Sequence, residues 1–216
     1  MALAELWLAR HGETAWTQAA RHTGRTDVPL TAVGEEQAIL LGQRLEAVRF
    51  VQVRASTLQR ARRTAELAGV QATPDERLLE WDYGEYEGRT TAEVQEQRPG
   101  WDMWRDGCPG GESADEVADR LRPLQRELAG VRSGRVLLIA HGHVLRVLAA
   151  VWLGLAPQAG RHLALGTAAL SVLGQEHDWP VITRWNLQPM AHGASPASSG
   201  LEAQLAAEEV VHREHR

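Results

Sequence analysis

The chain has 216 residues, 44% hydrophobic and 24% charged, with a net charge of −5. That is ordinary globular composition, enough for one domain with a sizeable core or one domain and an appendage, and it argues against a general nucleic-acid binder. A single cysteine, Cys108, excludes an internal disulfide framework and a Cys-based zinc site.

All 23 basic residues are arginine. That excludes a Schiff-base lysine, a P-loop lysine and a catalytic lysine base. Any anion site must then use Arg, His, backbone N–H groups and helix ends. No apolar run approaches the roughly 20 residues that span a bilayer. Residues 1–10 lack the basic and apolar regions of a secretory signal. The expectation is a cytoplasmic location with no membrane partner.

Residues 6–9 form a short apolar run ending at Arg10-His11-Gly12, read as a buried strand and a turn. Residues 34–48 place Ala38, Leu41, Leu45 and Val48 on one helical face. Residues 50–55 alternate like a strand, and 58–67 read as a helix. Ser113 to Glu116 has the form of a capping box and opens a helix to about 129. Pro123 lies inside it, so a kink or break is expected there.

Residues 136–140 are the clearest buried strand, ending at His141-Gly142, and a helix follows over 144–153. Residues 169–173 and 181–185 read as late strands. Strand–helix alternation predicts an α/β fold with a mostly parallel central sheet and helices on both faces. The Gly- and Trp-rich stretch 75–112 interrupts the alternation and suits an inserted lid. Residues 191–200 are linker-like and 201–216 have the length of a short helix.

In open α/β sheets, ligands bind at the carboxyl ends of strands. Two strands here end in His-Gly, at His11 and His141. One histidine at a strand end is ordinarily structural; two at one edge point to a site. Arg60 opens a helix at that edge, where free N–H groups attract anions. Arg10 and Arg60 could each grip a phosphate with a planar fork; Arg62 and Arg63 read as solvated.

His141-x-His143 imitates half of a metal pair, but no clustered ligands follow, so no metal is expected. His143 either lines a pocket or caps the helix. Trp81, Trp101 and Trp104 either wall that pocket or fill the core.

The motif Arg10-His11-Gly12-Glu13-Thr14 resembles the opening motif of the histidine phosphatase superfamily, the phosphoglycerate-mutase-like proteins. Ser56-x-x-x-Arg60-Ala61-x-x-Thr64-Ala65, the stretch from Leu79 to Gly88, and Ala140-His141-Gly142 resemble its other motifs, in order. The resemblance covers about residues 4–175. It implies a three-layer α/β/α fold and a catalytic domain over 1–190, with 191–216 as a tail. The stretches 21–27, 101–108 and 141–146 are similar to the sedoheptulose-bisphosphatase-like and actinobacterial acid phosphatase branch. Thr17 stands where the family often carries Asn.

The resemblance implies a phosphomonoester hydrolase acting through a phosphohistidine on a small phosphorylated metabolite. His11 is then the nucleophile. Its other ring nitrogen needs an acceptor, for which a nearby backbone carbonyl is expected. Arg10, Arg60 and His141 would neutralise the phosphoryl oxygens. Glu80 would be the acid and base, with Glu85 and Glu87 as competitors. Glu13 is implied to be a partner of the arginines.

Substrate contacts are expected from Thr17, Thr23, Gly24, Arg105, Gly142, His143 and Arg146. Arg21, His22, Arg25, Arg105 and Arg146 would serve a second anion or lie solvated at the surface. No cofactor is implied, and a homodimer is compatible. The rival readings are a cofactor-dependent phosphoglycerate mutase and a non-catalytic binding module. The mutase pattern includes a lysine that this chain lacks.

Overall fold

The computed structural model describes residues 5–189; the tail over 191–216 lies outside the described residues. In chain order the elements are β1 (Glu5–Arg10), α1 (Ala15–Gln18), α2 (Ala32–Leu45), β2 (Gln52–Ala55), α3 (Gln59–Leu67), β3 (Thr73–Pro74), α4 (Thr91–Gln97), α5 (Met103–Asp106), α6 (Ala114–Ala129), β4 (Arg135–Ala140), α7 (Gly142–Trp152), β5 (Leu170–Glu176) and β6 (Trp179–Leu187). The sheet order is β3-β2-β4-β1-β5-β6. The pairs β1–β4, β2–β4 and β2–β3 are parallel, while β5 and β6 add two antiparallel strands at one edge.

Side chains alternate across a strand, so each strand supplies both faces of the sheet. Leu6 and Leu8 of β1 and Val136, Leu138 and Ala140 of β4 pack with α6 and α7. Ala9, Leu137 and Ile139 turn to the other face and pack with Leu41 and Leu45 of α2 and Ala61 and Ala65 of α3. The result is the expected three-layer α/β/α arrangement. None of the described helices is long and apolar enough to cross a membrane.

The α6 helix does not break at Pro123: it runs from Ala114 to Ala129. Pro123 sits on the exposed face, where water can serve the carbonyl that loses its N–H partner. Ser113 and Glu116 close the capping box at its start. The stretch 75–112 is not a detached cover. Leu78, Trp81, Tyr83 and Trp101 are buried in the same core as α6 and α7. Trp81 and Trp101 are therefore core residues, each with its indole N–H on a backbone carbonyl, of Glu112 and Gly107 respectively.

Candidate active site

Parallel pairing of β1 with β4 sets Arg10 opposite Ala140. The next residues, His11 and His141, therefore leave neighbouring strands at the same level. Their rings stand 5.1 Å apart, edge to face. The backbone follows a close approach here: a Cβ on Gly12 would fall 2.2 Å from the carbonyl oxygen of Gly34 in α2. Only glycine lets the turn after His11 lie against α2.

His11 is buried, and its Nδ1 lies 2.7 Å from the Gly12 carbonyl oxygen. A carbonyl only accepts, so Nδ1 carries the proton and Nε2 is left bare. Burial holds the imidazole well below its ordinary value of 6.5, with the Arg60 and Arg10 charges adding to the effect. The ring is neutral and its free nitrogen has a lone pair.

Arg60 is fully buried. Its fork is turned to backbone rather than held open: the Nη atoms donate to the carbonyls of Thr26, Thr23 and Gly24 at 2.9, 3.2 and 2.8 Å. Its Nε donates to His141 Nδ1 at 3.0 Å. That bond makes Nδ1 of His141 an acceptor, so its Nε2 carries the proton and donates to Ser56 Oγ at 2.7 Å. Burial, then Arg60, then His11 keep His141 neutral. Arg60 thus shapes the loop 23–26 and brings a positive charge into the site.

Arg10 differs. One Nη donates to the Leu165 carbonyl at 2.7 Å, but its buried Nε has no partner. An unpaired buried guanidinium N–H whose charge acts on a neutral imidazole is what an anion site leaves open. Gly142 lies against this group: a Cβ there would come within 3.3 Å of Arg10 Cζ and Nε.

Glu80 is 4% exposed. Its Oε1 accepts from the Trp81 and Val144 amides at 2.9 and 2.8 Å, and its Oε2 from the His143 amide at 3.0 Å. It therefore caps α7, whose own N-cap residue, His141, makes no side-chain cap bond. Neither competitor shares this place. Glu85 is exposed, and both oxygens of Glu87 are held by the Gly24 and Thr26 amides.

His143 lines the site and does not cap the helix with its ring. It is bonded through Nδ1 to the Tyr83 hydroxyl at 2.6 Å and lies against Trp104 and Trp81. Arg146 lies over the Trp104 ring at 4.7 Å and is bonded to the Gly160 and Arg161 carbonyls. Among the described residues, no group of three or more His, Cys, Asp or Glu is placed to hold a metal.

Three residues expected at the site are engaged with other partners. The Thr17 hydroxyl is engaged with the backbone of Thr14 in a capping box at the start of α1. Arg105 is 64% exposed and paired with Asp106. Glu13 bonds the Thr31 hydroxyl at 2.8 Å instead of an arginine. Arg21 pairs with Glu93, and Arg25 lies 3.6 Å from both Asp82 and Glu112. Of the arginines considered for a second anion, Arg146 alone adjoins His143 through a shared ring.

Four further residues support the site: Ser56, Tyr83, Glu87 and Arg120. Arg120 of α6 donates to the carbonyls of Arg77 and Leu79 and is paired with Glu112, holding the loop that carries Glu80. Ser56 meets His141 85 residues away, Tyr83 meets His143 60 away and Glu87 meets Gly24 63 away, contacts that no local pattern pairs.

The family model described as histidine phosphatase superfamily (branch 1) matches residues 6–188. The chain is 42% identical over 176 residues to an acid phosphatase of Mycobacterium tuberculosis, covering 80% of this chain and 87% of that protein. It is 34% identical over 185 residues to a sedoheptulose 1,7-bisphosphatase of Saccharomyces cerevisiae, covering 70% and 68%. It is 35% identical over 213 residues to a probable phosphoglycerate mutase of Salmonella choleraesuis, covering 92% and 99%. A solved structure from Mycobacterium tuberculosis superposes with a TM-score of 0.83 at 39% identity, covering 87% of this chain and 99% of that one. The chain belongs to branch 1 of the histidine phosphatase superfamily.

Proposed function

We propose that this chain is a phosphomonoester hydrolase that works through a phosphohistidine at His11, on a small phosphorylated metabolite such as a sugar phosphate or bisphosphate. The observation that carries the reading is the Nδ1 contact of His11 with the Gly12 carbonyl, 2.7 Å, which leaves Nε2 free, together with the unpaired buried Nε of Arg10, whose charge acts on the same ring.

In the first step the Nε2 lone pair of His11 forms a bond to phosphorus and the ester P–O bond breaks. The leaving alkoxide takes a proton from Glu80. Oε2 is the seat of that proton, since it accepts one amide bond where Oε1 accepts two. In the second step water attacks phosphorus, Glu80 takes its proton, the P–N bond breaks and neutral His11 returns.

Arg10 donates its free Nε–H to the phosphoryl group. Arg60 acts through its buried charge. His141 turns its Nε2–H from Ser56 to a phosphoryl oxygen. The two arginine charges are in place before reaction, and that preorganisation supplies most of the rate. The α7 N-terminus, with Gly142 in its first turn, faces the same anion. Thr23 and Gly24, fixed by Arg60, border the site; His143 and Arg146 flank the leaving group.

The names of the M. tuberculosis and S. cerevisiae relatives support hydrolysis. The mutase-named relative supports a second reading, phosphoryl transfer between positions of a phosphoglycerate. One experiment separates them. The enzyme is incubated with 32P-labelled monoester and quenched, and the products are resolved. Hydrolysis predicts inorganic phosphate and an acid-labile, base-stable label on the protein that is lost in His11→Ala. An isomerised phosphoglycerate without inorganic phosphate would establish the mutase. No label and undiminished turnover in His11→Ala would overturn both.

A further inference from the structure

The site contains a hydrogen-bonded pair that the chemistry above leaves unused. The Tyr83 hydroxyl lies 2.6 Å from His143 Nδ1. Tyr83 is itself 2% exposed, stacked on His22 at 4.8 Å and set edge-on to the His143 ring. The imidazole is further enclosed by Trp104 at 5.4 Å and Trp81 at 6.3 Å. Its backbone N–H is tied to Glu80 Oε2, and that oxygen lies 3.9 Å from its Nδ1. The side chain keeps 24% of its surface exposed, and Nε2 has no hydrogen-bond partner among the described residues. The ring is thus clamped on one edge and open on the other.

We propose that Tyr83 is a positioning residue: its O–H donates to His143 Nδ1, so that His143 presents Nε2–H as a fixed neutral donor to an acceptor oxygen on the leaving alcohol. This rests on the phosphomonoesterase reading and refines it toward polyol substrates, whose hydroxyl, carboxylate or second phosphate oxygens lie beside the ester. Protonation states agree with the direction of the bond. Burial holds the Tyr83 phenol well above its usual value, so it keeps its proton. Burial, with Arg146, Arg10 and His22 adding to it, holds His143 well below 6.5, so the ring is neutral. A neutral imidazole has one donor and one acceptor, and the partner at one nitrogen dictates the other. Without the Tyr83 hydroxyl, Nδ1 loses the donor that fixes the tautomer. In the fraction protonated at Nδ1, His143 would turn an acceptor, not a donor, toward substrate.

The test combines long-range 15N–1H spectra of the histidine rings with kinetics of Y83F, H143Q and the double variant. H143Q assigns the His143 signals. In the wild type, Nε2 should show the shift of a protonated nitrogen and Nδ1 that of a bare one. In Y83F the two tautomers should mix. The kcat/KM on a sugar phosphate should fall about tenfold, the effect of one lost hydrogen bond. The fall on p-nitrophenyl phosphate, which lacks neighbouring acceptors, should be at least fivefold smaller. In the H143Q background, where the amide supplies a donor without help, Y83F should change kcat/KM less than twofold.

A wild-type His143 protonated at Nδ1, a Y83F tautomer identical to wild type, equal losses on both substrates, or an undiminished Y83F effect in H143Q each overturns the proposal. If Y83F does not fold, the wild-type spectrum decides the tautomer, and H143Q must retain at least a third of the activity that H143A loses. If the wild type hydrolyses no phosphomonoester, the functional reading fails while the spectra still decide whether Tyr83 sets the tautomer.

Discussion

Glu80 caps a helix that begins more than sixty residues downstream: its Oε1 accepts the Val144 amide at 2.8 Å. The same carboxylate takes the His143 amide and its own neighbour, Trp81. One side chain therefore ties the 79–88 loop to the N-terminus of α7, and it is also the proposed acid and base. The helix dipole and the amide donors orient it as they would any anion.

This double duty is separable by substitution. Glu80→Gln keeps one carbonyl oxygen for the amides and removes the titratable proton. It should lower kcat by roughly 10²- to 10⁴-fold on an alkyl phosphate. It should matter much less with p-nitrophenyl phosphate, whose leaving group hardly needs a proton. Thermal melts of Glu80→Ala should show a loss of about 1–2 kcal/mol from the missing cap. Equal kinetic losses on the two substrates would mean that Glu80 only builds the site.

Arg146 and Arg105 should behave differently. Arg146 is laid over Trp104 beside His143, while Arg105 is exposed on Asp106. If the substrate carries a second anion, Arg146→Ala should lower kcat/KM by about tenfold or more on a sugar bisphosphate, the scale of one charged hydrogen bond. On the matching monophosphate the loss should be smaller. Arg105→Ala should stay within about twofold on both, as surface substitutions do. A larger effect at Arg105 would move the second-anion site to α5.

Asp75, the residue after β3, is bridged to Glu127 of α6 by Arg54 and Arg77. Burial pushes its carboxyl up, but the bonds from Arg77 at 2.8 and 2.6 Å and Arg54 at 3.0 Å outweigh it and hold it below its ordinary 3.8. Glu127 completes the network with Arg54 and Arg77. A carboxyl lowered in the folded state adds stability that is fully present above the unfolded value near 4. That stability is lost as pH falls through the folded value. Asp75→Asn should therefore be about 1–3 kcal/mol less stable than wild type at pH 7 in urea unfolding. The gap should narrow below about pH 4. A gap independent of pH would assign the loss to packing.

His11, His141 and His143 are all held neutral, first by burial and then by neighbouring arginines or histidines. Unfolded, each binds a proton below about pH 6.5. The lowered folded values place their stabilising effect above that pH, and it is lost as pH falls below it. Urea midpoints should decline from pH 7.5 to 5.5, and His143→Gln should flatten part of the slope. A parallel slope in that variant would locate the protons elsewhere.

Much of the architecture was legible because hydrophobic period is a local property. Leu6 and Leu8 against Trp7 and Ala9, and the run 136–140, mark strands without any tertiary information. Ser113 and Glu116 mark a helix start for the same reason. The rule that ligands gather at strand carboxyl ends placed His11 and His141 together, and the β1–β4 register agrees. Pro123 was misleading, because whether a proline breaks a helix depends on which face it occupies, and the exposed face tolerates it.

What local pattern could not reach was the direction in which each polar group is spent on a partner. Arg60 has the composition of a phosphate fork, yet three carbonyls of the 23–26 loop take its Nη donors. Thr17 occupies a position expected to face the anion, yet closes a capping box with Thr14. Glu87 looks like a free loop acid, yet holds the Gly24 and Thr26 amides. Tyr83 stood in the 79–88 motif without a role of its own until the chain returned His143 to it. Residue type and spacing establish which donors and acceptors exist and which elements carry them. A buried donor is satisfied by whatever folding brings within 3 Å, so only the tertiary structure decides which of them stay open for a ligand.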